Sequence, residues 1–106
     1  MTIKTQDINF ETISDQIVLQ MAESFKALAD PTRLRILALL FQNERNVGDL
    51  AEHLAVSQSA VSHQLRLLRS LDIVRYHKDG REIFYRLADQ HVRDVFYRAL
   101  EHILFD

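Results

Sequence analysis

The sequence predicts a small, mainly helical domain that contains one β-hairpin. Apolar residues recur at helical spacing along most of the chain, and the period changes only where two β-branched and aromatic segments flank an Asp-Gly pair. The 106 residues are 47% hydrophobic and 26% charged, as is typical of one globular domain. Two glycines and one proline are too few for an all-β fold. We therefore treat residues 1–106 as a single domain.

Apolar spacing and a capping sequence predict the first two helices. The first helix ends near Ala29 and carries one apolar stripe at steps of four and then three, formed by Ile13, Ile17, Met21, Phe25 and Leu28. Asp30 is a good N-cap and Pro31 suits the first helical position, so a second helix begins there. Apolar residues cover almost all faces of residues 34–41, which predicts that this helix is the buried centre of the domain.

A polar connection, residues 43–46, precedes a short third helix of about two turns. Its apolar positions follow helical spacing and are Val47, Leu50, Ala51 and Leu54. Ser57 can cap a fourth helix that continues to about residue 71. The buried face of this helix is predicted to be Val61, Leu65, Leu68 and Leu71.

A hairpin and a last helix complete the chain. The predicted strands are residues 73–76 and 83–87, and Asp79-Gly80 between them is a strong hairpin signal. The last helix is predicted from Val92, Val95, Phe96, Ala99, Leu100 and Ile103. The order α-α-α-α-β-β-α, with a helix–turn–helix before the hairpin, is the winged helix-turn-helix arrangement.

Charge and composition narrow the function. Residues 57–86 carry six basic and three acidic side chains, net +3, whereas residues 1–56 carry five and eight, net −3. Such a basic block fits a polyanionic partner or a solvated basic surface. The absence of cysteine excludes disulfides, iron–sulfur clusters, thiolate metal sites and cysteine nucleophiles. No apolar run spans a membrane, no signal peptide precedes the domain and no enzyme motif occurs, so we expect a cytoplasmic protein that is not an enzyme.

The outward side of the fourth helix is predicted to read a DNA groove. Serine and glutamine at its leading end can bond base edges or phosphates, and the arginines behind them suit phosphates or guanine. Basic residues at the hairpin tip can grip the backbone beside the groove. The candidate DNA-binding residues are Ser57, Gln58, Ser59, Ser62, His63, Arg66, Arg69, Lys78 and Arg81. Any amphipathic helix has a polar face, but the helix–turn–helix spacing and the basic wing favour DNA binding.

Residues 27–37, Ala-Leu-Ala-Asp-Pro-Thr-Arg-Leu-Arg-Ile-Leu, resemble the opening signature of the ArsR/SmtB repressors. The helix–turn–helix and the wing of that family resemble residues 47–51, 57–68, 80–81 and 85–87. The resemblance covers residues 22–104. It implies a homodimer that represses transcription without inducer and releases double-stranded operator DNA when the inducer, often a metal ion, binds.

The zinc- and cobalt-sensing branch of this family implies a site in the last helix. Its pattern is Asp-x-His, ten residues, His, two residues, then His or Glu. Asp89, His91 and His102 match three of the four places, and the fourth falls on Phe105, which cannot bind metal. Other members use cysteines at the start of the third helix, where this chain has Asn46.

The spacing of the two histidines carries its own geometric prediction. His91 and His102 share a helix face but lie about 16 Å apart along the axis, too far for one ion. An antiparallel copy of the helix would bring His102 of the partner subunit beside Asp89 and His91, giving two equivalent sites per dimer. Asp106 or water would complete the ligand shell, whereas Asp94 is expected to pair with Arg98.

The predicted function is therefore a metal-responsive repressor. Nitrogen and oxygen ligands without sulfur favour Zn(II), then Co(II) or Ni(II), as inducer. The first and last helices are expected to form the homodimer interface, with no membrane and no protein partner beyond a second copy. The alternative, favoured by Phe105, is a metal-independent regulator of the same family that responds to another ligand or to none.

Overall fold

The computed structural model describes residues 5–105 and has the predicted order of helices. The helices are α1 (Asp15–Leu28), α2 (Pro31–Gln42), α3 (Val47–Leu54), α4 (Gln58–Ser70) and α5 (Gln90–Leu104), and the strands are β1 (Arg45–Asn46), β2 (Val74–Asp79) and β3 (Glu82–Leu87). Two short 3-10 helices, Thr5–Asp7 and Phe10–Thr12, precede α1. The mainly helical fold with a hairpin wing is confirmed. Within residues 5–105, no helix is long and apolar enough to cross a bilayer.

Each α-helix begins at a side chain that accepts a hydrogen bond from the backbone N–H three residues later. The capping residues are Ser14, Asp30, Asn46, Ser57 and Asp89. Such a cap satisfies one of the N–H groups that the first turn leaves without a helical partner. The predicted starts of α2 and α4 are thereby confirmed.

The sheet has three strands rather than the two predicted. The last two residues of the expected polar connection form β1, whose Arg45 and Asn46 pair with Tyr85 and Phe84 of β3. A two-residue strand is too short for its period to be visible in a sequence. The strand order is β1-β3-β2, and all pairs are antiparallel.

The hairpin is also longer than predicted. The ladder continues to the pair Asp79 and Glu82, so the turn contains only Gly80 and Arg81. Gly80 adopts a φ of +65°, which glycine reaches without the steric cost of a Cβ. The predicted six-residue connection was therefore wrong, because strand pairing extends almost to the tip.

The core lies between α2, α3, α4 and the base of the hairpin. Its fully buried large side chains are Ile36, Leu37, Leu40, Leu50, Val61, Leu65, Leu68 and Val74. Helix α2 is central as predicted, but not on every face, because Leu34 is 40% exposed. Leu71, predicted to be buried, is half-buried at the end of α4. No polar or charged side chain among the described residues is buried.

Replacing Leu65 by alanine is expected to lower the free energy of unfolding by about 2–5 kcal/mol, because the side chain is fully buried and leaves a cavity. Leu67→Ala on the same helix, at a position that is 38% exposed, is the control and should cost less than about 1 kcal/mol. Urea unfolding followed by circular dichroism measures both. Equal effects would contradict the position of the core.

Candidate DNA interface and metal centre

The predicted DNA-reading side chains lie on the solvent side of α4. Val61, Leu65 and Leu68 pack inward, and this orients the opposite face of the helix outward. Among the candidates on that face, Ser62 is half-buried. The others are exposed and are Gln58, Ser59, His63, Arg66 and Arg69. The Ser57 oxygen accepts from the backbone N–H of Ala60 at 3.0 Å, so Ser57 caps the helix while its hydroxyl can still donate. This face of α4 therefore presents a row of polar and cationic side chains to solvent.

Arg69 contacts the wing. Its guanidinium lies 4.9 Å from the centre of the Tyr76 ring, within cation–π range, and Tyr76 in turn packs on Tyr85. This contact between α4 and β2 is not predicted by spacing along either element. It directs Arg69 toward the hairpin, and Arg66 remains the exposed arginine in the middle of the helix.

The tip of the hairpin presents two basic side chains to solvent. Lys78 is near the end of β2, and Arg81 follows Gly80 in the turn. Both are exposed. The two charges belong to the same basic block of the sequence as α4, and their exposure leaves them free to contact phosphates.

Two other arginines of the basic block are engaged within the chain. Arg75 makes a bidentate ion pair with Asp72, with both N···O distances at 2.9 Å. The Arg75 guanidinium holds the pKa of Asp72 below its ordinary value and is the main cause of that shift. Arg86 donates to the backbone oxygens of Leu87 and Ala88. The cationic surface therefore rests on Arg66, Lys78 and Arg81 more than the charge count suggests.

Asp89 and His91 come together at the start of α5. One Asp89 oxygen, Oδ1, accepts from the backbone N–H of Val92 at 3.1 Å, and the other, Oδ2, lies 3.7 Å from Nδ1 of His91. Two ligands of a tetrahedral zinc ion stand roughly 3.4 Å apart, given Zn–N and Zn–O bonds of about 2.1 Å. The His91 side chain is 95% exposed. These two groups thus fit one edge of a metal site, with the remaining edge open.

His102 lies near the other end of α5, beside Arg98, Glu101 and Phe105. Phe105 follows the helix as its C-cap and is 77% exposed. The predicted ligand Asp106 lies outside the described residues. No cluster of three or more His, Asp or Glu side chains in residues 5–105 could hold a metal. Among the described residues, one subunit therefore brings together only Asp89 and His91 of the four predicted ligands.

The side chains around these ligands have partners of their own. Arg98 pairs with Glu101 at 3.0 Å, while Asp94 accepts from Gln90 at 2.8 Å. The predicted pair of Asp94 and Arg98 is therefore wrong. Both residues had a competing partner three or four positions away on the same helix surface, where either spacing allows contact.

Helices α1 and α5 expose apolar side chains on the same molecule. The exposed residues of α1 include Ile17 at 48%, Met21 at 49% and Phe25 at 57%, and those of α5 include Leu100 at 41% and Ile103 at 75%. No residue of α5 is buried. Several large exposed apolar side chains on one helix are typical of an interaction face.

The start of α3 carries a polar network that was not predicted from the sequence. Arg45 donates to the Leu39 carbonyl and to Asp49, and Asp49 lies 3.7 Å from His53. Asn46 caps α3 by accepting a hydrogen bond from the Asp49 N–H at 2.8 Å. The residues that would signal this network, an Arg and an Asp four positions apart, occur too often in helices to stand out.

Comparison with known proteins gives a consistent set of relatives. A family described as bacterial regulatory protein, arsR family, matches residues 30–76. The transcriptional repressor SmtB homolog of Synechocystis sp. is 45% identical over 100 residues, which cover 94% of this chain and 76% of that protein. A cadmium resistance transcriptional regulatory protein, a CadC homolog of Staphylococcus aureus, is 37% identical and covers 85% of this chain and 75% of its own.

Solved structures agree with the sequence relatives. A homodimeric winged helix-turn-helix DNA-binding domain from Mycobacterium bovis, described as a possible ArsR-family transcriptional regulator, superposes with a TM-score of 0.77 at 33% identity. The match covers 87% of this chain and 92% of that one. These relatives are regulators, which confirms the expectation that the chain is not an enzyme.

Asp89→Ala is expected to lower the free energy of unfolding by about 1 kcal/mol, because the Val92 N–H loses its acceptor. Asp89→Asn, which keeps a capping oxygen, is the matched control and should cost less. Urea unfolding at pH 7 with EDTA compares them, and equal losses would show that the carboxylate charge, rather than the cap, stabilises α5.

The difference in the free energy of unfolding between wild type and Asp89→Asn is expected to depend on pH. The Val92 N–H, aided by His91, holds the pKa of Asp89 below its ordinary value of 3.8. The charge therefore contributes stability above that value, and the contribution disappears as the pH falls through the lowered pKa of the folded state. The advantage of wild type over Asp89→Asn should shrink only under strongly acidic conditions.

Proposed function

The chain belongs to the arsR family of bacterial regulatory proteins, and on that premise we propose that it is a transcriptional repressor whose homodimer binds operator DNA and releases it on binding Zn(II). The observation that carries the proposal is the division of exposed side chains. Polar and cationic ones lie on α4 and the wing, apolar ones lie on α1 and α5, and the candidate metal ligands belong to α5 and its cap. A repressor acts where the chromosome lies, which places it in the bacterial cytoplasm.

The DNA mode follows from the α4 face. The leading residues Gln58 and Ser59 would enter the major groove, with Arg66 behind them. Lys78 and Arg81 would contact phosphates beside the groove. Two DNA-reading helices related by two-fold symmetry read a palindrome when they lie one helical turn of DNA apart, about 34–36 Å.

The dimer interface would be formed by α1 and α5. Their exposed apolar side chains, among them Phe25 and Ile103, need a cover that the rest of residues 5–105 does not supply. A two-fold interface is self-complementary and meets this need with one patch. It also makes the distance between the two DNA-reading helices depend on how α1 and α5 pack.

The metal site would be shared between subunits. Asp89 and His91 of one subunit and His102 of the partner subunit would hold the ion, with Asp106 or water as fourth ligand. The donors are nitrogen and oxygen, so Zn(II) is the first choice and Co(II) or Ni(II) the next. When bound, the metal would fix one angle between the two α5 helices. If that angle misplaces the DNA-reading helices, operator affinity falls, and DNA must weaken metal binding by the same factor.

The alternative is a metal-independent repressor of this family. Phe105 favours it, since a phenyl ring stands at the family's fourth ligand position and lies 77% exposed rather than folded away. Stoichiometric zinc binding, tested below, separates the two functions.

Salt dependence tests the DNA mode. Lys78→Ala and Arg81→Ala should each lower the slope of log affinity against log salt by about 1, because each removes one phosphate contact. Arg98→Ala on α5, whose side chain is 76% exposed, is the matched loss of a positive charge and should leave the slope unchanged. The measurement is fluorescence anisotropy with a palindromic operator fragment in EDTA. Unchanged slopes for both wing variants would contradict wing contact with DNA.

Mixing two variants tests the shared metal site. His91→Ala and His102→Ala homodimers should each bind little Zn(II), because both of their sites lack a ligand. A refolded equal mixture should regain about a quarter of the wild-type stoichiometry, since about half of the dimers are mixed and each mixed dimer has one intact site. Competition with a chromogenic zinc chelator measures this.

The same mixture separates the possible outcomes. Full zinc binding by either variant alone would remove that histidine from the site. No recovery on mixing would contradict ligands shared between subunits. If wild type binds the operator tightly and zinc does not change its affinity, the metal-independent alternative is supported and the zinc-responsive function is rejected.

A further inference from the structure

Helix α1 is attached to the rest of the subunit by its last turn. Within α1 only Ala27 is buried, and Leu28 beside it is half-buried against the core. The preceding three turns carry the exposed Ile17, Met21 and Phe25. The direction of this helix is therefore set by a small number of contacts around residues 27–33.

Arg33 makes two of these contacts with one side chain. Its Nε donates to the Ala27 carbonyl at 2.6 Å, and its Nη1 donates to Oε1 of Gln64 at 3.2 Å. The Ala27 carbonyl lies in the last turn of α1, and the residue whose N–H would reach it if the helix continued is Pro31, which has no N–H. The Arg33 donor takes its place. Gln64 belongs to α4, so the guanidinium joins the end of α1 to the middle of the DNA-reading helix.

We propose that Arg33 is a positioning residue for operator binding, because it fixes the angle between α1 and α4. The inference rests on the proposed function, in which α1 lies in the dimer interface and α4 reads DNA. Arg33 is half-buried and its donors point into the subunit, so it acts through Gln64 rather than on the nucleic acid.

A small change in the angle between α1 and α4 would displace the DNA-reading side chains. Each DNA-reading helix stands about 17 Å from the two-fold axis when the pair spans one turn of DNA. A rotation of about 5° of α4 relative to α1 then moves the reading side chains by about 1.5 Å, enough to break base contacts in one half-site while the other is bound.

Lysine cannot replace this fork. Its single ammonium reaches one of the two acceptors at a time, whereas the planar guanidinium holds both in fixed directions. Arg33→Lys therefore keeps the charge and most of the volume while it releases the angle. Arg35→Lys, an exposed position on the same helix, is the matched control.

Operator affinity in EDTA tests the proposal with two duplexes, a full palindrome and a single half-site. Arg33→Lys and Gln64→Met should each weaken binding to the palindrome about tenfold, the factor expected for one lost hydrogen bond of good geometry. Affinity for the half-site should change less than about twofold, because one DNA-reading helix can bind without the other. Gln64→Glu, which keeps an acceptor for Arg33, and Arg35→Lys should bind the palindrome like wild type. Parallel losses on both duplexes, or no loss on either, overturn the proposal.

A second measurement does not need DNA. The chain has no cysteine, so a spin label at Ser70→Cys, an exposed position of α4 outside the candidate DNA-binding residues, reports the distance between the two DNA-reading helices by pulsed electron spin resonance. Arg33→Lys should broaden or shift this distance, and an unchanged distribution overturns the inference. A broadened distribution in a protein that does not bind operator would uphold the role of Arg33 and reject the DNA function. Wild type without dipolar coupling would be monomeric and overturn both.

Discussion

The shared core of α2, α3 and α4, which includes Leu37, Leu50 and Leu65, is the packing on which the other features depend. All three side chains are fully buried. They fix which side of α4 faces inward, and the outward direction of Ser59, His63 and Arg66 follows from helical geometry alone. The wing is attached to the same core through Val74 and Leu87, so the hairpin tip and the outward face of α4 are held by one set of side chains.

This core is small, and its size has a consequence for the two terminal helices. It covers three helices and the base of the hairpin, and it leaves α1 and α5 with apolar side chains in water. Arg93 and Phe41 attach the first half of α5, through a hydrogen bond from Arg93 to the Phe41 carbonyl and a guanidinium stacked on the ring at 4.3 Å. The second half, with Leu100 and Ile103, has no such attachment among the described contacts. A second subunit is the cover that the proposed function supplies.

Helix caps could be predicted from the local sequence, whereas contacts between elements distant in the chain could not. Asp30 and Ser57 were identified as caps because a cap depends on residues within one turn. The proximity of Asp89 and His91 followed from their separation of two residues. The strand β1 was missed because two residues have no period, and the contact of Arg69 with Tyr76 was missed because it depends on how α4 meets the wing. Arg33 and Gln64 are 31 residues apart, and only the tertiary fold brings them together.

The two oxygens of Asp89 allow the cap of α5 to serve also as a ligand of the proposed metal site. Oδ1 is committed to the Val92 N–H, while Oδ2 faces His91. Coordination through Oδ2 alone would leave the cap intact, so metal binding need not unwind the start of α5. It would add a second reason for Asp89 and His91 to hold fixed positions, and would stiffen the end of the helix that the partner's His102 must approach. In the proposed site, Asp89 is thus held by the cap before a metal arrives, and this would lower the entropy lost on binding.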